Sequence, residues 1–313
     1  MTLLVQITDT HILPPGEVLY GEVDTALHLR KTVSRIQRFR PLPDLVMVTG
    51  DLAEKGDEDG YRHFMELLSP LEMPVYVVPG NHDNPALMSR VFADTTYFPA
   101  TASPFQYAIE DFPVRILALN SRSEGSELPT FNSQRLQWLK DQLERSDKPT
   151  LIALHHPPMK TGIELIDMGG TAWFQDLKSL LNKHEQVKLV ICGHCHTDLC
   201  GRIGQVPVYM AQATSHQLVG SRALTLAPAA LIEPGTPVLH QFIDGEFLSG
   251  SIAWPPDLEQ ERIDVKSGGN SPVRSSHSSH VLSCAVSLPR YFERVGFNNC
   301  FNCSRYCLRR MRT

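Results

Sequence analysis

Leu3-Leu4-Val5-Gln6-Ile7-Thr8-Asp9-Thr10-His11 is an apolar run of strand length that stops abruptly at two side chains able to hold a metal. The pattern recurs four times. Leu45–Thr49 stops at Gly50-Asp51, Val75–Pro79 at Gly80-Asn81-His82-Asp83, Thr150–Leu154 at His155-His156-Pro157, and Leu189–Cys192 at Gly193-His194-Cys195-His196. Five strand ends that deliver Asp, His and Asn imply a shared sheet edge where these groups meet. The residue types gathered there point to a metal-centred hydrolase.

Working outward, the segments between these runs carry helical spacing. Val23–Phe39 presents Ala26, Leu27, Leu29, Val33, Ile36 and Phe39, and Tyr61–Leu68 presents Tyr61, Phe64, Met65 and Leu68. A short helix is expected near Pro85–Ala93, where proline suits the first turn, and another over Ser133–Glu144 with Ser133 as its candidate cap. Trp173–His184 completes the helices, and Phe105–Ile109 and Val114–Leu119 read as further strands. Beyond Val206 the pattern holds strands without long helices: Val206–Ala211, Ala223–Leu226, Val238–Ile243 and Phe247–Trp254. Strand–helix alternation followed by a strand-rich half predicts an α/β fold of two packed sheets with helices outside them. Pro157–Gly170, directly after a motif, is read as a loop, either the rim of the site or an ordinary connection.

The bulk numbers exclude several classes. The chain has 313 residues, 42% apolar and 20% charged, which is ordinary for a globular protein. A net charge of −5 gives no sign of a nucleic-acid or acidic-membrane partner. No run approaches the roughly 18 apolar residues of a membrane span. Met1–Ile7 has no basic lead and reads as a first core strand, not a signal peptide, so a cytoplasmic location is the default. The odd count of seven cysteines argues against a disulfide framework, and Cys192, Cys195 and Cys200 are read as packing residues. Ser267–Ser283 is rich in Ser, Gly and His, and beyond it Arg290, Arg294, Arg305, Arg309, Arg310 and Arg312 oppose only Glu293. Residues 257–313 are therefore expected to be a flexible, basic tail outside a domain of residues 1–256. Cys300, Cys303 and Cys307, with Cys284 or His280, invite a zinc reading, but their spacing is not a common zinc pattern and a variable tail is preferred.

The candidate chemistry follows from residue type. A dinuclear site needs a group that faces both cations, and Asp51 is the candidate bridge because a carboxylate has two oxygens to offer. Asp9 and His11, two residues apart, can turn toward one metal, and His194 and His196 share that spacing. Asn81 offers a neutral amide oxygen, and His155 sits where its strand ends. This mixed N/O set suits Fe, Mn, Co or Zn and requires no thiolate. Two metals about 3.5–4 Å apart can hold a bridging hydroxide and polarise a phosphoryl oxygen for in-line attack. His82 lies between Asn81 and Asp83, and an adjacent carboxylate can orient it and favour its cation. Such a histidine can stabilise charge on phosphorus or protonate a leaving alkoxide.

The ordered motifs resemble the calcineurin-like metallophosphoesterase superfamily, within it the bacterial class III cyclic-nucleotide phosphodiesterase and glycerophosphodiesterase branch. Gln6–His11, Gly16-Glu17-Val18-Leu19-Tyr20-Gly21, Val78–Asp83, Ala153–Pro158 and Ala213-Thr214-Ser215-His216-Gln217 carry the resemblance, over roughly residues 1–256. It implies a four-layer αββα sandwich with two mixed β-sheets, in agreement with the independent reading. It also implies one metal held by Asp9, His11, Asp51 and His196, and another held by Asp51, Asn81, His155 and His194. His82 would contact phosphate, with His216 opposite. Choosing His155 over His156 rests on family position alone. Members of this branch are often dimers or higher homo-oligomers. Asn120 stands where many relatives have Asp, at a position that is not a ligand, so a structural effect is expected. The implied activity is hydrolysis of small phosphodiesters, cyclic nucleotides such as cAMP or glycerophosphodiesters. A phosphomonoesterase or nuclease of the same superfamily, and a non-catalytic scaffold, are the competing readings.

Overall fold

The five motif-bearing runs all form strands, and in each the burial is nearly complete because both faces are covered. Described here, from a computed structural model, are residues 1–93, 95, 105–219 and 229–251. In the first half, β1 (Thr2–Ile7), α1 (Thr25–Ile36), β2 (Leu45–Val48), α2 (Glu58–Leu68) and β3 (Val75–Val77) alternate, followed by α3 (Pro85–Val91). Strands β1, β2 and β3 lie side by side and parallel. Right-handed crossovers running in one direction place α1 and α2 on a common face of that sheet. There Leu29, Val33 and Ile36 of α1 and Phe64 and Leu68 of α2 are buried.

The chain then forms β4 (Tyr107–Ile109), β5 (Arg115–Ala118), a ribbon of β6 (Arg122–Ser123) and β7 (Ser126–Pro129), α4 (Ser133–Glu144), β8 (Thr150–Ala153), α5 (Gln175–Leu181) and β9 (Val187–Cys192). After these come β10 (Leu199–Ile203), β11 (Val206–Met210), β12 (Gln217–Val219), β13 (Ala229–Leu231), β14 (Val238–Ile243) and β15 (Glu246–Ser251). One sheet has the order β15-β14-β1-β2-β3 and the other β10-β11-β9-β8-β5-β4, each mixing parallel and antiparallel pairs. Leu139 and Leu143 of α4 and Leu177 and Leu181 of α5 share a core with Ile152 and Val190, so these helices cover the second sheet.

The two sheets meet through a buried polar seam. Gln6 of β1 donates to Thr49 Oγ1 and to the Cys192 carbonyl, each at 2.8 Å, and its Oε1 lies 2.9 Å from His240 Nε2 of β14. Tyr209 of the second sheet meets His240 edge-on. The result is the expected α/β sandwich of two mixed sheets with helices outside.

Several boundaries differ from expectation. The cap of α4 is Asn132, whose Oδ1 accepts from the Arg135 N–H at 3.0 Å, and Ser133 is the first helical residue. Trp173 belongs to a 3-10 turn, Ala172–Phe174, that precedes α5. Strand β10 and the β6–β7 ribbon went unread because their residues alternate weakly or are short and polar. The expected strand Ala223–Leu226, the domain boundary after residue 256, and the tail with Cys284, Cys300, Cys303 and Cys307 lie outside the described residues.

Candidate metal centre

All five motifs reach one edge of the sandwich, at the carboxyl ends of β1, β2, β3, β8 and β9. The backbone there leaves strand geometry sharply. Asp9, His11, Asp51, His194 and His196 all have positive φ, between 44° and 70°, a region that L-residues seldom occupy. Each such residue stores about 1–2 kcal/mol. Ladder-like bonds hold them: Asp9 N donates to the Gly50 carbonyl and His11 N to the Asp51 carbonyl, each at 3.0 Å, and Thr214 N and Ser215 N to the Thr8 and Asp9 carbonyls. Gly50 has φ +98°, and a Cβ there would stand 2.9 Å from His155 Cβ, so only glycine lets that histidine approach.

The side chains form two clusters. In the first, Asp9 Oδ2 accepts from Thr8 Oγ1 at 2.6 Å and from His194 N at 3.0 Å, leaving Oδ1 to face His196 Nε2 at 3.2 Å. His196 Nδ1 is directed at the His216 carbonyl and His11 Nδ1 at the Glu54 carboxylate, so both carry their proton on Nδ1. Their Nε2 lone pairs nevertheless stand 3.3 Å apart, beside Asp9 Oδ1 and 3.7 Å from Asp51 Oδ2 on the His11 side.

In the second cluster, His155 Nδ1 is directed at the Thr49 carbonyl at 2.8 Å, which leaves the Nε2 lone pair facing Asn81 Oδ1 at 3.0 Å and Asp51 Oδ2 at 3.3 Å. The Asn81 amide is turned this way because its Nδ2 donates to Glu127 on β7 at 2.7 Å. His194 packs against His155 and His156, with a ring nitrogen within 4.8 Å of theirs. His156 itself turns toward Ser121 Oγ at 2.9 Å.

With the rings neutral, two groups of acceptors converge, an arrangement that needs positive charge at each centre, supplied by cations or by protons on the histidines. The donor set and spacing fit two divalent or trivalent cations. Asp51 belongs to both clusters, but through one oxygen: Oδ2 faces His155 and His11, while Oδ1 accepts from His82 N at 2.9 Å. The expectation that each oxygen would serve a different metal is corrected, because the His82 amide occupies the other one.

The electrostatics express the same demand. Burial alone would raise the pKa values of Asp9 and Asp51, but the facing His196 and His155 hold both carboxyls below the usual range. Burial would depress His155, yet Asp51 pushes it up to about 9. His82 behaves likewise: burial opposes its charge, but Asp51 and Glu54 raise it to about 9. Burial together with the histidines beside them lowers His194 and His216 to about 3.

Asp83 does not orient His82. Its carboxylate accepts from the Gly80 and Leu52 N–H groups at 2.8 and 3.1 Å and from Tyr61 Oη, bracing the turns that carry Asp51 and Asn81. Buried there next to Asp51, it is pushed up to about 6. The carboxylate facing His82 is Glu54, 3.3 Å from its Nδ1. No motif marked Glu54 or Glu127; the one available signal was proximity to a motif, and only tertiary placement gives it meaning. His216 and His82 both lie beside His11, with ring centroids 5.8 Å and 4.8 Å from that of His11. Asn120 Oδ1 accepts from Arg122 N at 2.9 Å where β6 begins, and Cys195 is packed in the second core.

Comparison with known proteins sets this site in context. Residues 2–198 match the calcineurin-like phosphoesterase family. A probable glycerophosphodiester phosphodiesterase of Arcobacter nitrofigilis is 34% identical over 249 residues, 79% of this chain and 91% of the relative. The 3',5'-cyclic adenosine monophosphate phosphodiesterase of Pseudomonas aeruginosa is 28% identical over 250 residues, 79% of this chain and 88% of that one. Among solved structures, a dimetal phosphatase from Danio rerio matches with a TM-score of 0.57 at 17% identity, covering 80% of this chain and 99% of that one, a likeness of fold. No helix among the described residues is long and apolar enough to cross a membrane.

Proposed function

The chain belongs to the calcineurin-like phosphoesterase family, and from that premise we propose that it is a metal-dependent phosphodiesterase acting on small diesters, cyclic nucleotides or glycerophosphodiesters. The observation that carries this is the pair of acceptor clusters sharing Asp51 Oδ2. In this reading Asp9, His11, Asp51 and His196 hold one cation, and Asp51, Asn81, His155 and His194 hold the other. The nitrogen and oxygen donors favour Fe, Mn, Co or Zn. When bound, two such cations supply Lewis acidity at phosphorus and lower the pKa of water for in-line attack.

The chain's own residues supply the rest. His82 donates from Nδ1 to the Glu54 carbonyl at 3.0 Å, which leaves Nε2 for the substrate. Asp51 and Glu54 raise its pKa to about 9 against burial, which suits it to stabilising charge on phosphorus and to protonating a leaving alkoxide from Nε2. His216, kept neutral by burial and by His196, offers a second contact from beside His11. Asp83 acts through the backbone it binds.

A diester carries one negative charge, in keeping with a site built without Arg or Lys among its motifs. The net charge of −5 disfavours a nuclease, whose affinity for duplexes depends on phosphate neutralisation. Relatives named for cyclic nucleotide and glycerophosphodiester hydrolysis favour the diester class over monoesters. All seven ligand positions are filled by donor residues, which speaks against a scaffold that has lost its chemistry. The proposal includes a cytoplasmic setting and a homo-oligomer, the latter checked by light scattering. Metal-loaded protein is expected to cleave bis(p-nitrophenyl) phosphate faster than p-nitrophenyl phosphate. The reverse order would make it a phosphomonoesterase.

A further inference from the structure

Helix α1 buries a histidine and leaves the leucine beside it outside: His28 is 8% exposed and Leu27 40%. Hydrophobicity alone would favour the reverse, so the buried imidazole calls for a polar partner. Its Nδ1 lies 2.7 Å from the carbonyl of Ser215, 187 residues further along the chain. A carbonyl only accepts, so Nδ1 carries the proton and donates it. Ser215 is itself fully buried, and its N–H donates to the Asp9 carbonyl at 3.2 Å. Its hydroxyl lies 3.1 Å from His216 Nδ1. Donated there, the hydroxyl proton leaves the ring's own proton on Nε2, the form in which a neutral imidazole can donate to a phosphoryl oxygen. The next carbonyl, that of His216, accepts from His196 Nδ1 at 3.0 Å. Two adjacent carbonyls therefore take one imidazole each, the first from a helix and the second from a residue of the first acceptor cluster.

We propose that His28 is a positioning residue: from behind the site it fixes the peptide that leads into His216, and through it the aim of His216 at the substrate and of His196 at the first cation. This inference rests on the metal-dependent diesterase reading above. The Ser215 carbonyl and the His216 N–H belong to one planar unit, so a carbonyl that turns carries the base of the His216 side chain with it. Without His28 that buried carbonyl loses the donor it has, and an unmatched buried acceptor drives its peptide to seek another. Any such turn also moves the His216 carbonyl on which the His196 ring is set. Helix α1 begins at Thr25, shortly after the loop that carries Tyr20, and the Tyr20 ring meets that of His216 edge-on with centroids 5.6 Å apart. The His28 bond is thus a second tie between the α1 side of the site and the Ser215 segment, placed behind the first.

The test uses His28→Leu, His28→Asn and His28→Gln in the full-length chain, with every measurement made well below the lowest melting midpoint. An Asn amide can take the place of Nδ1 and a Gln amide that of Nε2, so only Asn retains the donor. Bis(p-nitrophenyl) phosphate reads kcat and KM, inorganic phosphate as a competitive inhibitor reads affinity for the anion, and calorimetry without substrate reads Mn²⁺. His28→Leu is expected to raise KM and the phosphate Ki together by about tenfold, the scale of one hydrogen bond, with kcat changed by less than about threefold. One of two Mn²⁺ equivalents is expected to weaken by about tenfold as well. His28→Asn should recover most of each loss and His28→Gln little. In a His216→Ala background His28→Leu should leave KM and Ki nearly unchanged, since the ring it aims is gone, yet still weaken Mn²⁺, since the carbonyl behind His196 remains. Wild-type KM, Ki and Mn²⁺ affinity in His28→Leu, or equal losses in Asn and Gln that follow only their melting temperatures, would overturn the role of His28. If His28→Leu does not fold, the contrast between Asn and Gln decides in the same way. If the wild-type protein takes up no metal and cleaves no diester, the function itself is refuted, an outcome distinct from failure of the His28 assignment.

Discussion

Replacing Gly80 by alanine tests the site through a residue that offers no ligand. A Cβ at position 80 would lie 2.8 Å from Asp51 Cγ, and closer still to Asp51 Oδ1 and its backbone nitrogen. Carbon atoms pack at about 3.5–4.0 Å, so the two segments must separate by roughly 1 Å. Neither can yield freely. Gly80 N is held by Asp83 Oδ2 at 2.8 Å, and Asp51 Oδ1 by His82 N at 2.9 Å. Overpacking of this kind costs about 1–3 kcal/mol, equivalent to a Tm loss of about 5 °C. The effect on turnover should be larger than the effect on folding. Metal–donor distances tolerate about ±0.2 Å, and a displacement near 1 Å at a reacting centre costs about 100-fold. Gly80→Ala is therefore expected to lower kcat/KM on bis(p-nitrophenyl) phosphate by about 100-fold, with one or both metals lost on dialysis. Gly250→Ala, on β15 where a Cβ would meet nothing within 4 Å, serves as the control and should match wild type. A Gly80→Ala protein with full metal content and wild-type kcat/KM would refute the assignment of Asp51 as the shared ligand.

Asp51→Asn should abolish turnover and the uptake of both metals, read by elemental analysis. His82 N keeps the amide oxygen, so the NH2 group, which cannot ligate, turns into both clusters. His82→Ala should keep both metals yet lose turnover most on diesters with poor leaving groups; equal loss on activated and unactivated diesters would remove its general-acid role. His240, buried in the seam away from the metals, has its pKa lowered to about 3 by burial. The unfolded chain takes up this proton near pH 6.5 and the folded one does not, so stability falls as pH drops below about 6.5, by about 2 kcal/mol at pH 5. Chelator-treated His240→Gln should lose correspondingly less between pH 7.5 and pH 5 in urea melts. A chelator should also lower the wild-type Tm, since a cation at 100 times its Kd contributes about 2.7 kcal/mol.

The site was legible where its signal is local. An apolar run ending in Asp-x-His or Gly-Asp needs no partner to be recognised, which is why the seven residues expected to be ligands, all of which the structure brings to the two clusters, were read along with the strands that carry them. What depends on register between distant segments was hidden. Asp83 sits beside His82 in sequence, but in the strand-end turn its carboxylate points back to the Gly80 and Leu52 amides, and Glu54 arrives from another turn to meet the histidine. Glu127 reaches Asn81 from a short polar ribbon without a hydrophobic pattern. At α4, Asn132 and Ser133 are both residues that cap helices, and the extended backbone of Asn132 decides between them.

Each acceptor cluster draws on both sheets: Asp9, His11 and Asp51 with His196 in one, Asp51 and Asn81 with His155 and His194 in the other. Cations held there would act as a clasp across the sandwich as well as a reaction centre. Further along the seam, the closure is the bond from Gln6 Nε2 to the Cys192 carbonyl, with Tyr209 set against His240, and neither needs a metal. Stripping the metals should therefore loosen the sandwich from one end, raising amide exchange around Gly193 and Thr214 while β1 and β14 stay protected. Any slippage of one sheet along the other would alter the separation of the two cations, so the rigidity of the whole seam sets how exactly the reaction centre can be tuned.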